Sequence, residues 1–295
     1  MKLKKKEFLN ESKKDKSELL EDLKSNNWSI RANAIYYLKK FNDKSVDDEI
    51  FKKLKDPDEN VWLLAVKTLK NKNDPRLVDS LIDSLLHDKR EEVRWHSAYF
   101  LGEMGDIRAV DALIRSLKDE CKEVRLNSTK ALRKIGSDKP VDALVDLLED
   151  EESSVRKEAI YSLNAISPEK NIDGLVNSLD DADRRVRSSA AILIGKTGSK
   201  NAIDKLIEKL KDNEPIVRVS VVYALSNIDS DKSLPALINA LDDPHWEVRS
   251  DAAKALAKIG SSDAVVPLLD ALKDENPYVR HCATKALEKF DIFKK

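Results

Sequence analysis

The segment at residues 91–105, EEVRWHSAYFLGEMG, carries four side chains of the kinds that form active sites. His96 and Glu103 are residue types that transfer protons, and Trp95 and Tyr99 are types that stack against flat ligands. If the segment is a helix, side chains three or four residues apart lie on one face, which brings all four together. Two interpretations follow: one wall of an active site, or one copy of a repeated element with unusual side chains.

The other reactive residue types do not extend this cluster into a catalytic or metal centre. The four histidines are His87, His96, His245 and His281, and none lies three or four residues from another, as a helical metal pair requires. The sequence has no G-x-S-x-G motif and no phosphate-binding glycine loop. Cys121 and Cys282 are too few for a disulfide framework, and Cys282 is expected to be a surface thiol. The sequence therefore predicts no catalytic residue, no metal and no cofactor.

The composition predicts an all-helical chain. Only 7 Gly and 9 Pro occur in 295 residues, of which 36% are charged. The formal net charge of −1 favours no nucleic-acid partner by itself. The N-terminus is lysine-rich but has no signal-peptide core, and no stretch approaches the roughly 20 apolar residues of a membrane span. A soluble, cytoplasmic protein with no membrane partner is expected.

One phrase, V-R-x-x-A-x-x-A-L-x-x-I-G, occurs nine times. Its period is 31 residues, with one step of 32 between Val61 and Val93. Its apolar positions, +4, +7, +8 and +11 from the first residue, lie on one helical face, and Gly, Asp or Asn at +12 suits a left-handed C-cap. A shorter apolar pattern precedes each phrase, so each repeat is predicted to be a hairpin of helix A and helix B. The first residues are Ile30, Val61, Val93, Val124, Val155, Val186, Val217, Val248 and Val279.

Two polar positions in the repeat predict a stabilising ladder of ion pairs. Each Arg is expected to bond the Asp of its own or the next repeat, because a guanidinium matches a carboxylate with two parallel bonds. Trp62 replaces Arg in the second repeat, so the ladder is expected to be broken there. In Asp56-Pro57 and Asp243-Pro244, the Asp is expected to cap helix B. The ladder residues are Arg31, Arg94, Arg125, Arg156, Arg187, Arg218, Arg249 and Arg280, with Asp56, Asp119, Asp150, Asp181, Asp212, Asp243 and Asp274.

The 31-residue hairpin with this phrase resembles the HEAT-like repeats of the phycobilisome-lyase type over about residues 17–290. The resemblance implies an all-α fold, a right-handed α-solenoid of about nine 31-residue helical hairpins forming a HEAT-like superhelix. We expect a lysine-rich N-terminal tail at residues 1–16 and a single HEAT-like repeat domain of nine repeats at residues 17–295, with Ser25 as a helix cap. HEAT-like deoxyhypusine hydroxylases bind iron through His-Glu dipeptides, and no histidine here is followed by Glu.

The resemblance also implies a concave groove lined by the B helices at positions +2, +3, +6 and +10. Over these 36 positions ten lysines oppose Glu103, Glu158 and Asp251, which predicts a basic groove of charge +7 and an acidic exterior. Five of the lysines lie in the last helical turn, where the helix dipole alone favours a cation, so a merely solvated face stays an alternative. The predicted groove residues are Tyr36, Lys67, Trp95, His96, Tyr99, Glu103, Lys130, Lys134, Tyr161, Tyr223, Lys254, Lys258 and Lys285.

Three functions are open at this point. The favoured one is a non-catalytic scaffold or adaptor that binds an acidic segment or helix of another protein, since tyrosine gives rigid contact area and lysine a point charge. The resemblance also implies a bilin lyase or chaperone-lyase, although Trp95, His96, Tyr99 and Cys282 are widely separated in the repeat array. The third is DNA binding or alkylpurine excision, for which the groove offers stacking rings but lysine rather than arginine.

Overall fold

A computed structural model describes residues 14–168, 172–228 and 230–290 of the chain. These residues form α-helices joined by short turns and 3-10 segments, and none of them lies in a β-strand. The chain divides into two compact units, residues 1–135 and residues 136–295. Each unit is a run of helical hairpins, which confirms the predicted all-α solenoid class.

Odd-numbered helices are the A helices of successive repeats and even-numbered helices are the B helices. The first unit contains α1 (Lys16–Asp22), α2 (Trp28–Leu38), α3 (Lys44–Lys52), α4 (Glu59–Asn71), α5 (Leu77–His87), α6 (Glu91–Met104), α7 (Val110–Ser116) and α8 (Lys122–Ile135). The second contains α9 (Val141–Asp146), α10 (Ser153–Ile166), α11 (Ile172–Ser178), α12 (Arg184–Thr197), α13 (Ile203–Lys209), α14 (Pro215–Asn227), α15 (Ser233–Asn239), α16 (Trp246–Ile259), α17 (Val265–Ala271) and α18 (Pro277–Glu288).

The predicted left-handed residues are present after five of the described B helices, α4, α6, α8, α12 and α16, whereas Asn42 after α2 does not have a positive φ. Gly105, Gly198 and Gly260 have φ angles of 67°, 68° and 73° and are the C-caps of α6, α12 and α16. Asn73, which holds the same position after α4, has φ 54°. Glycine is favoured there because it has no Cβ to clash in this conformation.

Neighbouring B helices within a unit pack directly against one another. A Cβ placed on Gly195 of α12 would lie 2.5 Å from Cα of Ala224 in α14. In the first unit, a Cβ on Gly102 of α6 would lie 2.7 Å from Cα of Ala131 in α8. These glycines allow the helix backbones to approach closely. The B helices therefore lie side by side in order within each unit.

Three predicted helix caps are wrong. The N-caps of α2, α4 and α16 are Asn27, Asp58 and His245, each two residues after the expected cap. The expected residues instead hold the turn before the helix: Asp56 accepts the N–H of Asp58 at 3.1 Å, Asp243 that of His245 at 2.8 Å, and Ser25 that of Asn27 at 3.2 Å. The two carboxylates are turned inward toward ladder arginines, which the cap geometry would not allow.

The first described helix, α1, begins with a capping box. Asp15 caps α1, and its carboxylate accepts the N–H of Glu18 while Glu18 accepts the N–H of Asp15. Lys16 is the first residue of that helix, so residues 14–16 of the predicted tail belong to the described structure. The rest of that predicted tail, residues 1–13, lies outside the described residues.

Candidate interaction surface on the B helices

Ion pairs connect B helices to the repeats that follow them. We call each Arg–Asp pair a rung. In each rung, Nε and Nη2 of the Arg donate to both carboxylate oxygens of the Asp 25 residues later, at 2.6–3.0 Å, and Nη1 donates to the carbonyl oxygen six residues earlier. The rungs are Arg31–Asp56, Arg94–Asp119, Arg156–Asp181, Arg187–Asp212, Arg218–Asp243 and Arg249–Asp274.

These guanidinium groups are enclosed and fully engaged. Their side chains are only 9–14% exposed. Hydrogen bonds to the Asp243 carboxylate, for example, raise the pKa of Arg218 further above its usual value. An enclosed guanidinium with its donors satisfied cannot also bind an external anion. The described rungs therefore stabilise the fold and contribute no anion-binding surface.

The rung expected to be missing at Trp62 is rebuilt by Arg90. Nε and Nη2 of Arg90 donate to Asp88 at 3.0 and 2.8 Å, and Nη1 donates to the carbonyl oxygens of Asp56 and Pro57 at 3.0 and 2.9 Å. Those carbonyls lie six and five residues before Trp62. The carbonyl six residues earlier accepts in all six rungs, and the one five residues earlier accepts in four of them. The expected break is therefore wrong for the ladder, although the Trp62 ring itself is buried and its Nε1 has no hydrogen-bond partner among the described residues.

The four predicted groove registers separate into two classes. Side chains at +6 and +10 are mostly exposed, which we call the +6 row and the +10 row. Side chains at +2 and +3 are half-buried or buried, except for exposed His281 at +2 of the last repeat. At +3 of the second unit, the buried residues are Glu158, Ser189, Ser220 and Cys282. Oγ of Ser188 and Ser220 lie 2.7 Å apart between α12 and α14. The expected four-row groove is corrected to two exposed rows, because +2 and +3 lie between neighbouring B helices.

The side chains of the 91–105 segment do not converge on one point. The rings of Trp95 and His96 stack with centroids 3.5 Å apart, and His96 lies over buried Trp62 with a centroid distance of 6.2 Å. Nδ1 of His96 is 2.8 Å from the carbonyl oxygen of Glu92. Burial lowers the pKa of His96, which favours the neutral ring. His96 therefore packs against Trp62 of α4 with Trp95 stacked on it, and the two rings do not form an active-site wall.

Glu103 is held by lysines of the adjacent repeats. Its carboxylate forms an ion pair with Lys134 of α8 and lies 3.8 Å from Nζ of Lys70 of α4. The hydrogen bond from Lys134 lowers the pKa of Glu103. Nζ of Lys134 is also 5.8 Å from the centre of the Tyr99 ring, and Tyr99 is 44% exposed. Tyr99 and Glu103 thus belong to the exposed rows, with the Glu103 charge compensated internally.

The +6 row differs between the two units. In the first unit it contains Tyr36, Lys67, Tyr99 and Lys130, so aromatic and cationic side chains alternate. In the second unit it contains Tyr161, Ile192 and Tyr223 followed by Lys254 and Lys285, so three apolar residues precede two cations.

Three lysines of these rows in the second unit have local partners. Nζ of Lys254 is 2.6 Å from Asp251, that of Lys285 is 2.9 Å from Glu288, and that of Lys258 is 2.6 Å from Oδ1 of Asn227. Exposed contacts of this kind contribute about 0–1 kcal/mol each. An incoming anion can therefore replace them at little cost.

Three exposed apolar residues of this surface lie outside the predicted registers. Ile216, Trp246 and Tyr278 occupy the first turns of α14, α16 and α18 and are 50%, 38% and 47% exposed. The rings of Trp246 and Tyr278 meet edge to face at 5.7 Å, and Nζ of Lys254 is 5.0 Å from the centre of the Tyr278 ring. Positions −1 and −2 lie on the same helical face as +6, so extending the register one turn upstream would have found them.

Comparison with known proteins agrees with the repeat seen in both units. The sequence matches the HEAT repeats family over residues 17–100, 48–122, 78–164, 110–193, 172–244 and 234–292. The chain belongs to the HEAT repeat family. Among curated proteins, no match to the sequence is found.

Solved structures share the HEAT-repeat fold. YibA from Escherichia coli has 23% identity and a TM-score of 0.61, covering 91% of this chain and 97% of YibA. Kap95p, in a structure that describes its binding to RanGDP, has 14% identity and a TM-score of 0.65, covering 98% of this chain and 47% of Kap95p. The CpcE–CpcF complex of phycocyanin lyase from a Nostoc species has 20% identity and a TM-score of 0.45, covering 83% of this chain and 93% of that chain. At these identities the likeness establishes the fold alone.

The two cysteines of this HEAT-repeat protein are buried. Cys282 was expected at the surface, but it is 6% exposed, and burial raises the pKa of its thiol. In the described parts of the chain, no three His, Cys, Asp or Glu side chains group so as to hold a metal ion. Also within those parts, every helix is too short or too polar to cross a bilayer. The exposed B-helix rows are thus the main candidate for function.

Proposed function

We propose that this HEAT-repeat protein is a non-catalytic interaction scaffold, whose +6 and +10 rows bind an acidic segment of a partner protein. The observation that carries the proposal is the charge of the two rows. They hold nine lysines and a single acidic residue, Glu103, in a chain whose formal net charge is −1. The lysines are Lys40, Lys67, Lys130 and Lys134 in the first unit and Lys196, Lys254, Lys258, Lys285 and Lys289 in the second.

The residue types favour a protein partner over a nucleic acid. Tyr36, Tyr99 and Tyr223 offer rigid rings at 46%, 44% and 42% exposure, and such rings give contact area with little loss of side-chain entropy. Lysine supplies a hydrated point charge that steers an acidic partner without forming forked contacts to phosphate. The arginines that would make forked contacts are engaged in the rungs. The binding of Kap95p to RanGDP supports a protein as the class of partner for this fold.

Two alternative functions lose support from the arrangement of their residues. A bilin attached through Cys282 requires an accessible thiol, and this thiol is buried. A base held by Trp95 and an acid at Glu103 require both side chains to be free. Trp95 instead stacks on His96, and Glu103 is paired with Lys134. Neither arrangement favours lyase or glycosylase chemistry.

The test combines two changes in the +6 row. The variant Tyr99→Ala with Lys130→Glu removes one exposed ring and reverses one charge. Its control is Lys118→Glu, which makes the same charge change at an exposed residue that follows an A helix. Tagged native, variant and control chains, checked for equal helicity by circular dichroism, are used to capture proteins from the native host for mass spectrometry. We expect loss of specific acidic proteins with the row variant alone. Identical captures from native and row-variant chains would refute the proposal.

Nucleic acid is tested on the same three chains. Phosphate contacts make affinity fall steeply with salt, with a slope set by the number of phosphates neutralised. Gel-shift titrations with single-stranded DNA at about 50 and about 200 mM salt measure that slope. Tight, steeply salt-dependent binding that the row variant abolishes would replace the proposed protein partner with a nucleic acid.

A further inference from the structure

The alternation of the +6 row in the first unit has a definite spacing. Tyr36, Lys67, Tyr99 and Lys130 lie at the same position of four successive B helices, α2, α4, α6 and α8. Packed helices have axes about 8–10 Å apart. Successive side chains of this row are therefore about 10 Å apart, and the two tyrosines are roughly 20 Å apart. A ligand that follows the row meets a ring and a cation in turn.

The tyrosines and the lysines of this row differ in their local contacts. Nζ of Lys39 is 3.9 Å from the centre of the Tyr36 ring and Nζ of Lys134 is 5.8 Å from that of Tyr99. A cation beside a ring is attracted to its face and restrains its orientation. Among the residues that the structure describes, Lys67 and Lys130 have no ion-pair partner. The row thus alternates between an oriented ring and an unpaired ammonium group.

The spacing matches one backbone conformation of a bound segment. A polyproline II helix has three residues per turn and rises about 3.1 Å per residue, so every third side chain faces the same way at about 9.3 Å intervals. A β-strand alternates its faces, so residues three apart point to opposite sides. An α-helix needs about seven residues to advance by 10 Å. Among these conformations, the polyproline II segment places one side chain on each B helix with the fewest residues.

We infer that the first unit binds an extended acidic segment in the polyproline II conformation, whose every third residue faces the +6 row in the order apolar, acidic, apolar, acidic. The inference rests on the proposed function and specifies the partner's conformation and register. The apolar residues contact Tyr36 and Tyr99, and the acidic residues contact Lys67 and Lys130. Glu103, in the +10 row beside Tyr99, disfavours an acidic residue at the third place and agrees with this order.

The second unit provides an internal comparison. Its +6 row does not alternate, since Tyr161, Ile192 and Tyr223 are consecutive and precede Lys254 and Lys285. A segment with alternating apolar and acidic residues is therefore not complementary to that row. Charge changes in the second unit should leave its binding unchanged, whereas charge changes in the first unit should abolish it.

The experiment uses the full chain and synthetic peptides labelled with a fluorophore. The peptide LPSEPSLPSE has apolar residues at places one and seven and acidic residues at places four and ten. The peptide LPEPSSLEPS has the same composition with the acids displaced. Fluorescence anisotropy at low salt measures both affinities. We expect the in-register peptide to bind at least about tenfold more tightly, and Lys67→Glu with Lys130→Glu to remove that preference. Lys254→Glu with Lys285→Glu should leave the preference intact.

Reversing the charges on both the protein and the peptide distinguishes a loss of recognition from a loss of the fold. The peptide LPSKPSLPSK should bind the Lys67→Glu, Lys130→Glu variant and not the native chain. Equal binding of the two acidic peptides to the native chain would overturn the register. Tighter binding of a helical peptide with the same alternation at seven-residue intervals would overturn the conformation. If no peptide binds while the Tyr99→Ala, Lys130→Glu variant still loses its captured proteins, the extended segment is refuted and the proposed function stands.

Discussion

Replacing Arg90 with alanine removes the guanidinium that rebuilds the rung at Trp62. In the native chain it donates two hydrogen bonds to Asp88 and two to the carbonyl oxygens of Asp56 and Pro57. Its loss leaves the Asp88 carboxylate, 19% exposed, without its cation. Removing one partner of a fully buried pair costs about 3–5 kcal/mol. Arg90 is 29% exposed, so water replaces part of the interaction, and we expect a cost of about 2–3 kcal/mol.

Two reference variants set the scale for this measurement. Arg218→Ala removes a rung whose Arg and Asp side chains are 9% and 8% exposed, and it should cost about 3–5 kcal/mol. Arg115→Ala removes an exposed arginine whose side chain makes no hydrogen bond within the described structure, and it should cost less than about 0.5 kcal/mol. Urea unfolding at neutral pH, followed by circular dichroism, gives the free energies. Amide hydrogen exchange locates the loss, because repeat arrays open locally.

A double-mutant cycle isolates the contact itself. If Arg90 acts through Asp88, Asp88→Ala should cost about 1–2 kcal/mol less in the Arg90→Ala background than in the native chain. Loss of exchange protection should be concentrated in the repeats that contain Trp62 and Arg90. An Arg90→Ala cost no larger than that of Arg115→Ala would refute the rebuilt rung, and so would additive effects of the two mutations.

Three further predictions concern packing, surface charge and pH. Gly195→Ala should lower stability by about 1–3 kcal/mol in thermal unfolding, because the new Cβ would lie 2.5 Å from Cα of Ala224. Glu103→Gln should tighten binding of acidic peptides about two- to fivefold at low salt, measured by anisotropy, because it removes the single acid of the two rows. Hydrogen bonds from Arg249 hold the pKa of Asp274 below its usual range. The unfolded chain therefore takes up this proton first, and stability is lost as pH falls below about 4; Asp274→Asn should flatten that acid limb in melts from pH 2 to 6.

The fold was predictable because each repeat contacts only its neighbours. A phrase repeated at 31 residues fixes the apolar face, the helix end and the ladder position at once. Val93, Val155 and Val217, at the first position of the phrase, are all 0% exposed. Gly105 takes the left-handed conformation that its position predicts. The position of a residue in the phrase therefore predicts its burial and backbone conformation from one repeat to the next.

The rebuilt rung was not predictable in the same way. Arg90 lies outside the phrase, in the turn before α6, and only the three-dimensional position of its guanidinium shows that it replaces a residue 28 positions earlier. The extra residue of this repeat lengthens α5 to His87, which the period of 32 signalled without showing its consequence. The replacement of an arginine by Trp62 in one repeat can be seen in the sequence. That Arg90 of the next repeat compensates for it can be seen only in the three-dimensional structure.

The interaction surface was predicted in part. A helical wheel identifies the face that avoids the core, but each B helix also packs against the B helices beside it. That second contact buries Ser220 and Cys282 at +3, while Tyr223 and Lys285 at +6 stay exposed. The small side chains of Ser189, Ser220 and Cys282 were a usable signal at +3, but Glu158 and His96 are larger and also pack there. The first-turn residues such as Trp246 were missed because the phrase was read from its Val onward.

The ladder and the exposed rows divide the cations of this protein between two tasks, and the division has a consequence for specificity. Arginine, with its forked geometry, is used inside, where it fixes one B helix relative to the next. Lysine is used outside, and an ammonium group alone discriminates poorly among anions. Selectivity must then come from the spacing of the lysines and rings, which the rungs maintain. Variants of Arg218 should therefore reduce stability first, whereas variants of Lys67 should change partner choice at unchanged stability.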